Sequence, residues 1–457
     1  MKRRLVEQLT LFASVLKWSI YASIVGAVVG LSTAAFLKSL TWASGLAQQY
    51  PYYFWALPVT LLVSSALVYW LAPEAEGHGT ERGIAALHEK MGRIPLMVVP
   101  IKLVATVITL ASGGSAGKEG PCAQIGAGLA SAIASLARLP DVDRRKLVIC
   151  GVSAGFASVF GTPVAGALFG VEVLFLGQLL YDVLLPSFVA GITSYHVSHA
   201  LGVKYFYHPI DTIPLFSEKV FGQVILLGVW VGIGALLLIE GLALGHRLFK
   251  KFRWWKPLNA AAGGLVVAGV GGLISTRYLG LGLDTIEEGL AGKILPKAAF
   301  FWKTITTSVT LGCGGSGGIV TPIFFLGTAA GNLFSNLFGL GNVAIYSSIG
   351  MVAMLAGAAN TPISASVMAI ELFGSSIAPY AAIACVVSFL MSGHRSVYPS
   401  QVLSIQKSES IEVETGKPIG EVQGVGNSEG INLPKKIWTH CLSLFRCLLY
   451  TSPSPRD

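Results

Sequence analysis

The chain has 457 residues, of which 53% are hydrophobic and only 12% charged, at a mean hydropathy of +0.67; a water-soluble chain of ordinary composition carries about 25% charged residues. That balance describes an integral membrane protein and excludes soluble enzymes, DNA-binding proteins and secreted disulfide scaffolds. The net charge of +9 comes from 32 Lys and Arg against 23 Asp and Glu, with the basic residues in short loops between apolar runs, where they mark cytoplasmic loops rather than a nucleic-acid surface.

A bilayer-spanning helix needs about 20 mostly apolar residues, and Met1 to about Ser392 has room for a dozen or more. The chain opens with Lys2, Arg3 and Arg4 before an apolar run from Leu11 to Leu37. That run is too long for a signal peptide and predicts a retained first helix with a cytoplasmic start. Further on, Cys122, Cys150, Cys313, Cys385, Cys441 and Cys447 show no ligand spacing, so neither a zinc site nor a disulfide framework is expected. His196 and His199 are three residues apart but have no third ligand nearby in sequence, and no metal is expected there. The segment from Ser400 to Lys436 is a polar tail or linker. Cys447 to Asp457 reads as translated sequencing adapter, which leaves the chain's own sequence open beyond about Arg446 and is set aside from fold reasoning.

The sequence repeats itself. Gly113-Gly-Ser-Ala-Gly-Lys-Glu-Gly-Pro121 lines up with Gly314-Gly-Ser-Gly-Gly-Ile-Val-Thr-Pro322 at an offset of 201 residues, and Gly126 with Gly327 at the same offset. Lys102, Thr106, Thr109 and Leu110 pair with Lys303, Thr307, Thr310 and Leu311. Gly151, Thr162-Pro163 and Glu172 pair with Gly350, Thr361-Pro362 and Glu371 at offset 199, and Gly77-His78-Gly79 with Gly280-Leu281-Gly282. Two homologous halves follow, about 10–200 and 215–393, joined near the basic loop Arg247 to Lys256 or just before it. Duplicated halves with Gly/Pro-interrupted apolar segments are the pattern of transporters, whose sites lie at the repeat interface near mid-membrane.

Scattered glycines let membrane helices pack closely, but three or four within five residues break a helix. Irregular backbone at membrane depth must be buried in protein or line a wet pathway. Each Gly-rich loop is followed by Pro121 or Pro322 and a small-residue helical stretch, so it presents orphan N–H groups at a helix start, which favour an anion. Two such starts, related by the repeat, predict one shared site for a small anion. A nucleotide loop at Gly113 to Lys118 is excluded, because Gly113 and Gly117 are separated by too few residues and Glu119 stands where Ser or Thr is required. An intramembrane hydrolase would need a base near Ser115 or Ser316, and neither loop has a histidine in reach.

Gly117-Lys-Glu-Gly-Pro121, Gly77-His-Gly79 after Ala72-Pro-Glu-Ala75, Gly318-Ile-Val-Thr-Pro322 and Tyr398 in Ser396-Val-Tyr-Pro399 occur in order over about 390 residues. Together they resemble the CLC family of chloride channels and proton/chloride antiporters, prokaryotic type. The resemblance implies an all-α membrane protein of two inverted repeats of tilted and broken helices, spanning 1–393, with a Tyr398 segment and polar cytoplasmic tail over 394–446. It further implies a homodimer in a cell inner membrane with one pore per subunit, chloride as the bound substrate and no cofactor. The anion would be held by His78 between Gly77 and Gly79, by the backbone of Lys118, Glu119 and Gly120 and of Gly318, Ile319, Val320 and Thr321, and by the Tyr398 hydroxyl.

Glu119 is the gate in this reading: a carboxylate is itself an anion, and an ionisable group at membrane depth signals function. Tyr398 offers a neutral donor that solvates an anion without trapping it. His78 stands where the family most often has serine, Lys118 where it has arginine, and Val320 where it has phenylalanine. Val173 occupies the inner glutamate position of proton-coupled members, and an aliphatic side chain carries no proton. Passive chloride permeation is therefore expected, with Glu172 as the proton-pathway candidate should the chain be an antiporter, and with a fluoride-exporting relative as a further alternative. Glu371, the repeat mate of Glu172, is assigned a helix-end or packing role.

Overall fold

The computed structural model describes residues 2–210, 218–252, 255–408, 411–422 and 425–426. The end of the expected polar tail and the whole of 447–457 lie outside the described residues. Sixteen α-helices are described, eight in each half. The first half holds α1 (Lys2–Gln48), α2 (Leu57–Leu71), α3 (Thr80–Glu89), α4 (Val98–Ala111), α5 (Glu119–Leu136), α6 (Asp141–Phe160), α7 (Pro163–Glu172) and α8 (Tyr181–Ala200). The second repeats them in order as α9 (Glu218–Lys251), α10 (Lys256–Leu273), α11 (Leu283–Leu290), α12 (Ala299–Gly312), α13 (Val320–Leu337), α14 (Val343–Ala359), α15 (Pro362–Phe373) and α16 (Ala378–Met391). The basic segment Arg247 to Lys256 therefore connects α9 to α10 inside the second half, and the join between halves lies before it.

Room for a dozen spanning segments does not become a dozen full spans. Among the described residues only three helices are both long and apolar enough to cross a membrane: Arg3–Gln48, Tyr53–Leu71 and Glu218–Lys251. Helices of 10 to 14 residues, such as α3, α4, α7, α12 and α15, reach only about 15 to 21 Å at 1.5 Å per residue, short of the hydrocarbon thickness. They end inside the protein.

The way they end is written in the repeat motifs. α4 and α12 both terminate on a glycine in the left-handed region, Gly113 at φ 99° and Gly314 at φ 105°. The next amide closes each helix, Gly114 N–H to the Thr109 carbonyl at 2.8 Å and Gly315 N–H to Thr310 at 2.9 Å, as helix-terminating glycines do. α7 and α15 start with Pro163 and Pro362 at the first helical position, where the missing N–H costs nothing.

Glycine pairs fix the inter-helix distances. A Cβ on Gly126 would sit 2.1 Å from the Gly151 carbonyl oxygen, and one on Gly327 2.4 Å from that of Gly350. α5 against α6 and α13 against α14 thus pack backbone to backbone, the close approach that small residues allow in membranes. Almost all of α13 is buried, so it runs through the protein interior rather than facing lipid. After α16 the chain folds back: Val402 and Leu403 pair in parallel with Phe175 and Leu176, and Leu403, Val413 and Ile419 form a small core with Leu176.

Candidate functional site

The two Gly-rich loops meet. Gly117 N–H donates to the Gly318 carbonyl and Gly318 N–H to the Gly117 carbonyl, each at 2.7 Å. These residues occupy the same position in their repeats, so the bridge lies where the internal two-fold relation brings the halves together. It juxtaposes the N-termini of α5 and α13. Cross-links of the same kind surround it. The Ser115 hydroxyl lies 2.9 Å from that of Thr307, and Ser316 lies 3.0 Å from Thr106, all four buried. The Gly77-His-Gly79 loop closes the third side: a Cβ on Gly79 would be 2.3 Å from the Gly120 carbonyl oxygen, and one on Gly120 2.1 Å from that of His78. Gly79 also has φ 77°, a conformation costly for any side chain with a Cβ. Only glycine lets these loops touch.

Glu119 is the first residue of α5 and is 1% exposed. Its carboxylate reaches across the repeat boundary to the start of α13, accepting from the Thr321 amide at 3.0 Å and the Thr321 hydroxyl at 2.5 Å. A buried carboxylate needs such donors, and charge-assisted bonds at a helix start are among the stronger ones. Glu119 thus occupies the N-terminus of α13, whose free backbone donors favour a negative charge.

On one side of Glu119 lies a cavity of about 260 Å³ whose walls include Lys118, Lys204, Phe206, Glu287 and Thr321. Near Glu119, but not in that cavity wall, are the buried polar side chains of His78, Thr80 and Tyr398. Neither the His78 ring nor the hydroxyls of Thr80 and Tyr398 make a well-formed hydrogen bond, although the imidazole lies near the Val397 backbone and the two hydroxyls lie near each other. His78 is 6% exposed and Tyr398 fully buried, with its hydroxyl facing Thr80. Leaving a buried donor unpaired costs about 1–3 kcal/mol, and any neutral imidazole carries one N–H donor.

Of the residues expected from sequence, the structure brings together Gly77, His78, Gly79, Glu119, Gly120, Gly318 and Thr321. Ile319 and Val320 are fully buried beside them, and Lys118 is half-buried in the cavity wall. Val173 and Glu172 stand apart. Both Glu172 oxygens accept backbone N–H bonds at the start of α15, from Ile363 at 3.0 Å and Ser364 at 2.7 Å. Glu371 does the same at the start of α7, with Val164 at 3.0 Å and Ala165 at 2.8 Å.

Residues 60–393 match the voltage-gated chloride channel family, Voltage_CLC. The chain belongs to that CLC family. It is 39% identical over 410 residues, 88% of this chain and 89% of the relative, to the chloride/fluoride channel protein of Pseudomonas syringae pv. tomato. It is 28% identical over 391 residues, covering 77% of this chain and 80% of the relative, to the H(+)/Cl(-) exchange transporter ClcA of Citrobacter koseri. Among solved structures, a CLC-type fluoride/proton antiporter superposes with a TM-score of 0.81 at 26% identity, covering 85% of this chain and 98% of that one.

Several residues of this CLC site escaped the sequence reading. Lys102 and Lys303, fully buried, each donate to the Gly-x-Gly loop of their own repeat, Lys102 to Gly77 at 2.7 Å and Lys303 to Gly280 at 2.8 Å. An intramembrane lysine is a signal in itself, and the repeat had already paired these two. Thr80 was hidden behind the glycines it follows. Lys204 and Phe206 lie in the connection between the halves, which carries no motif.

Proposed function

We propose that this CLC chain passes small halides through a pathway that crosses the junction of the two repeats, with Glu119 as its gate. The observation that carries the proposal is the seat of the Glu119 carboxylate on the amide and hydroxyl of Thr321. A side-chain anion held at the helix start of the opposite repeat competes with a diffusing anion for the same donors. When Glu119 is protonated or displaced, the α13 terminus is free for the ion, which then meets the buried His78, Thr80 and Tyr398. Lys118 and Lys204 raise anion concentration at the other mouth.

Chloride is the first substrate on this reading, moving passively. Val173 offers no proton relay, and Glu172 is engaged at both oxygens with backbone N–H groups. The second reading is proton-coupled fluoride export, with Glu119 itself as the proton carrier. It is favoured by the 39% identity to a chloride/fluoride channel protein and the likeness to a fluoride/proton antiporter, and by His78 in the Gly-x-Gly loop. Two copies are expected to pair in the inner membrane, as the family resemblance implies.

The test is flux from liposomes loaded with chloride or fluoride, with anion and pH recorded together, for wild type and Glu119→Ala. Anion efflux that persists in the variant without pH dependence or uphill proton movement is expected. A folded variant that passes no anion overturns the gate assignment. Wild-type fluoride efflux that drives protons uphill selects the second reading.

A further inference from the structure

The Tyr398 hydroxyl faces only the Thr80 hydroxyl, a single rotatable group that cannot by itself aim the ring. Its direction must come from the backbone. We infer that Gln401 and Lys407 are positioning residues that hold the Tyr398 backbone against the pathway, so that the segment after α16 is a latch on the anion site. The inference rests on the reading above that Tyr398 meets the anion.

Gln401 is fully buried and uses every hydrogen-bonding position of its amide. Its Nε2 donates to the carbonyls of Val173 and Ala359, both at 2.8 Å. Its Oε1 accepts from Asn360 Nδ2 at 3.2 Å and from the Ser396 hydroxyl at 2.5 Å. The same Ser396 oxygen accepts the Tyr398 amide at 3.0 Å, and the Gln401 amide donates to the Tyr398 carbonyl at 3.1 Å. Both polar groups of the Tyr398 backbone are thus tied to one glutamine, which joins the ends of α7 and α14.

Lys407 locks the glutamine from outside. Its Nζ donates to Asn360 Oδ1 and the Phe389 carbonyl at 2.6 Å and to Ser392 Oγ at 3.0 Å, and it lies 3.9 Å from the centroid of the Phe389 ring. Its amide donates to His394 Nε2 at 3.0 Å. Asn360 is thereby held between Lys407 on its oxygen and Gln401 on its nitrogen.

Asn360 itself is the second, independent sign. It ends α14 with φ 57°, a region in which glycine is unstrained and other residues are rare. At the matching corner after α6, the first repeat has Gly161 with φ 77°. The second repeat places there the non-glycine residue best suited to this region, and its side-chain amide is used to hold the tail. No packing requirement explains the exchange as directly as the bonds to Gln401 and Lys407 do.

The experiment measures anion flux in liposomes against anion concentration for the full chain, for Lys407→Gln, Lys407→Arg, Gln401→Glu and Tyr398→Phe, and for Lys407→Gln combined with Tyr398→Phe. Size-exclusion chromatography and thermal melting exclude variants that fail to fold. Lys407→Gln should raise the half-saturating anion concentration about tenfold, the usual scale for loss of a residue that orients a ligand-contacting group, with less change in maximal rate. Lys407→Arg should restore most of it, and in the Tyr398→Phe background Lys407→Gln should add almost nothing. Wild-type half-saturation in folded Lys407→Gln and Gln401→Glu, or an undiminished effect in the Tyr398→Phe background, overturns the latch while leaving the anion pathway intact. If Tyr398→Phe alone changes nothing, the assignment of Tyr398 to the pathway falls, and the latch with it.

Discussion

The two repeats share a scaffold and divide the chemistry. Their helices end on matching glycines, their Gly-rich loops bond to each other through Gly117 and Gly318, and Glu172 and Glu371 each cap the start of the helix that carries the other. At the site itself they differ. Glu119 faces Val320 across the relation, His78 corresponds to Leu281, and Gly161 to Asn360. Symmetry supplies two facing helix starts, but only the first repeat adds a carboxylate, and only the second is left to receive it. The gate proposed for Glu119 requires that inequality: two carboxylates at this depth would repel each other and compete for the same donors, and none would leave the helix start unguarded.

If the scaffold is symmetric, damage to it should be symmetric, and the largest effects belong to the glycine pairs. Gly126→Ala and Gly327→Ala each place a Cβ within 2.4 Å of a carbonyl oxygen on a helix that cannot retreat. Each should destabilise by more than about 3 kcal/mol or prevent folding, as read by yield and thermal melting. Gly222→Ala, which has open space at its Cβ, should behave as wild type. Tolerance of one glycine substitution and not the other would break the equivalence of the halves.

The helix caps come next and should be unequal. Glu172 is 6% exposed, whereas Glu371 is half-buried, so solvent can replace more of what Glu371 provides. Glu172→Ala should cost about 2–3 kcal/mol, and Glu371→Ala about 1 kcal/mol, on the scale of charge-assisted hydrogen bonds and helix caps. Proton movement should be unchanged in both variants. A change in proton coupling in Glu172→Gln, with thermal stability unaltered, would return Glu172 to the proton pathway.

How much of this was legible follows from where the information sits. The duplication, the broken helices and the meeting of the two Gly-rich loops could be read because glycine clusters and prolines have few alternatives at membrane depth. The structure agrees down to the Gly117–Gly318 bridge. The number of full spans could not be read, since an apolar run looks the same whether it crosses the bilayer or stops inside the protein. The exchange of caps between Glu172 and Glu371 was hidden for a related reason: repeat mates suggest shared roles but not that each acts on the other's half. Thr80, Lys204 and Gln401 are single polar residues in connections, and only folding gives them neighbours.

The smallest effects test whether the scaffold is free of chemistry. Ser115 and Ser316 pair with Thr307 and Thr106 across the repeat boundary, at 2.9 and 3.0 Å. Replacing either serine by alanine removes one neutral bond and should cost about 1 kcal/mol. The loss is small because the threonine left behind sits on a helix and can turn its hydroxyl to the carbonyl four residues earlier. Removing both partners, as in Ser115→Ala with Thr307→Val, should cost little more than either single change, giving a coupling near 1 kcal/mol that is equal for the two repeats. Equal couplings with unaltered anion half-saturation would make these hydroxyls fasteners alone. If Ser115→Ala shifts half-saturation and Ser316→Ala does not, the first repeat contributes more to the anion seat than Glu119 and the Gly-His-Gly loop, and the boundary between shared scaffold and divided chemistry moves one residue pair outward.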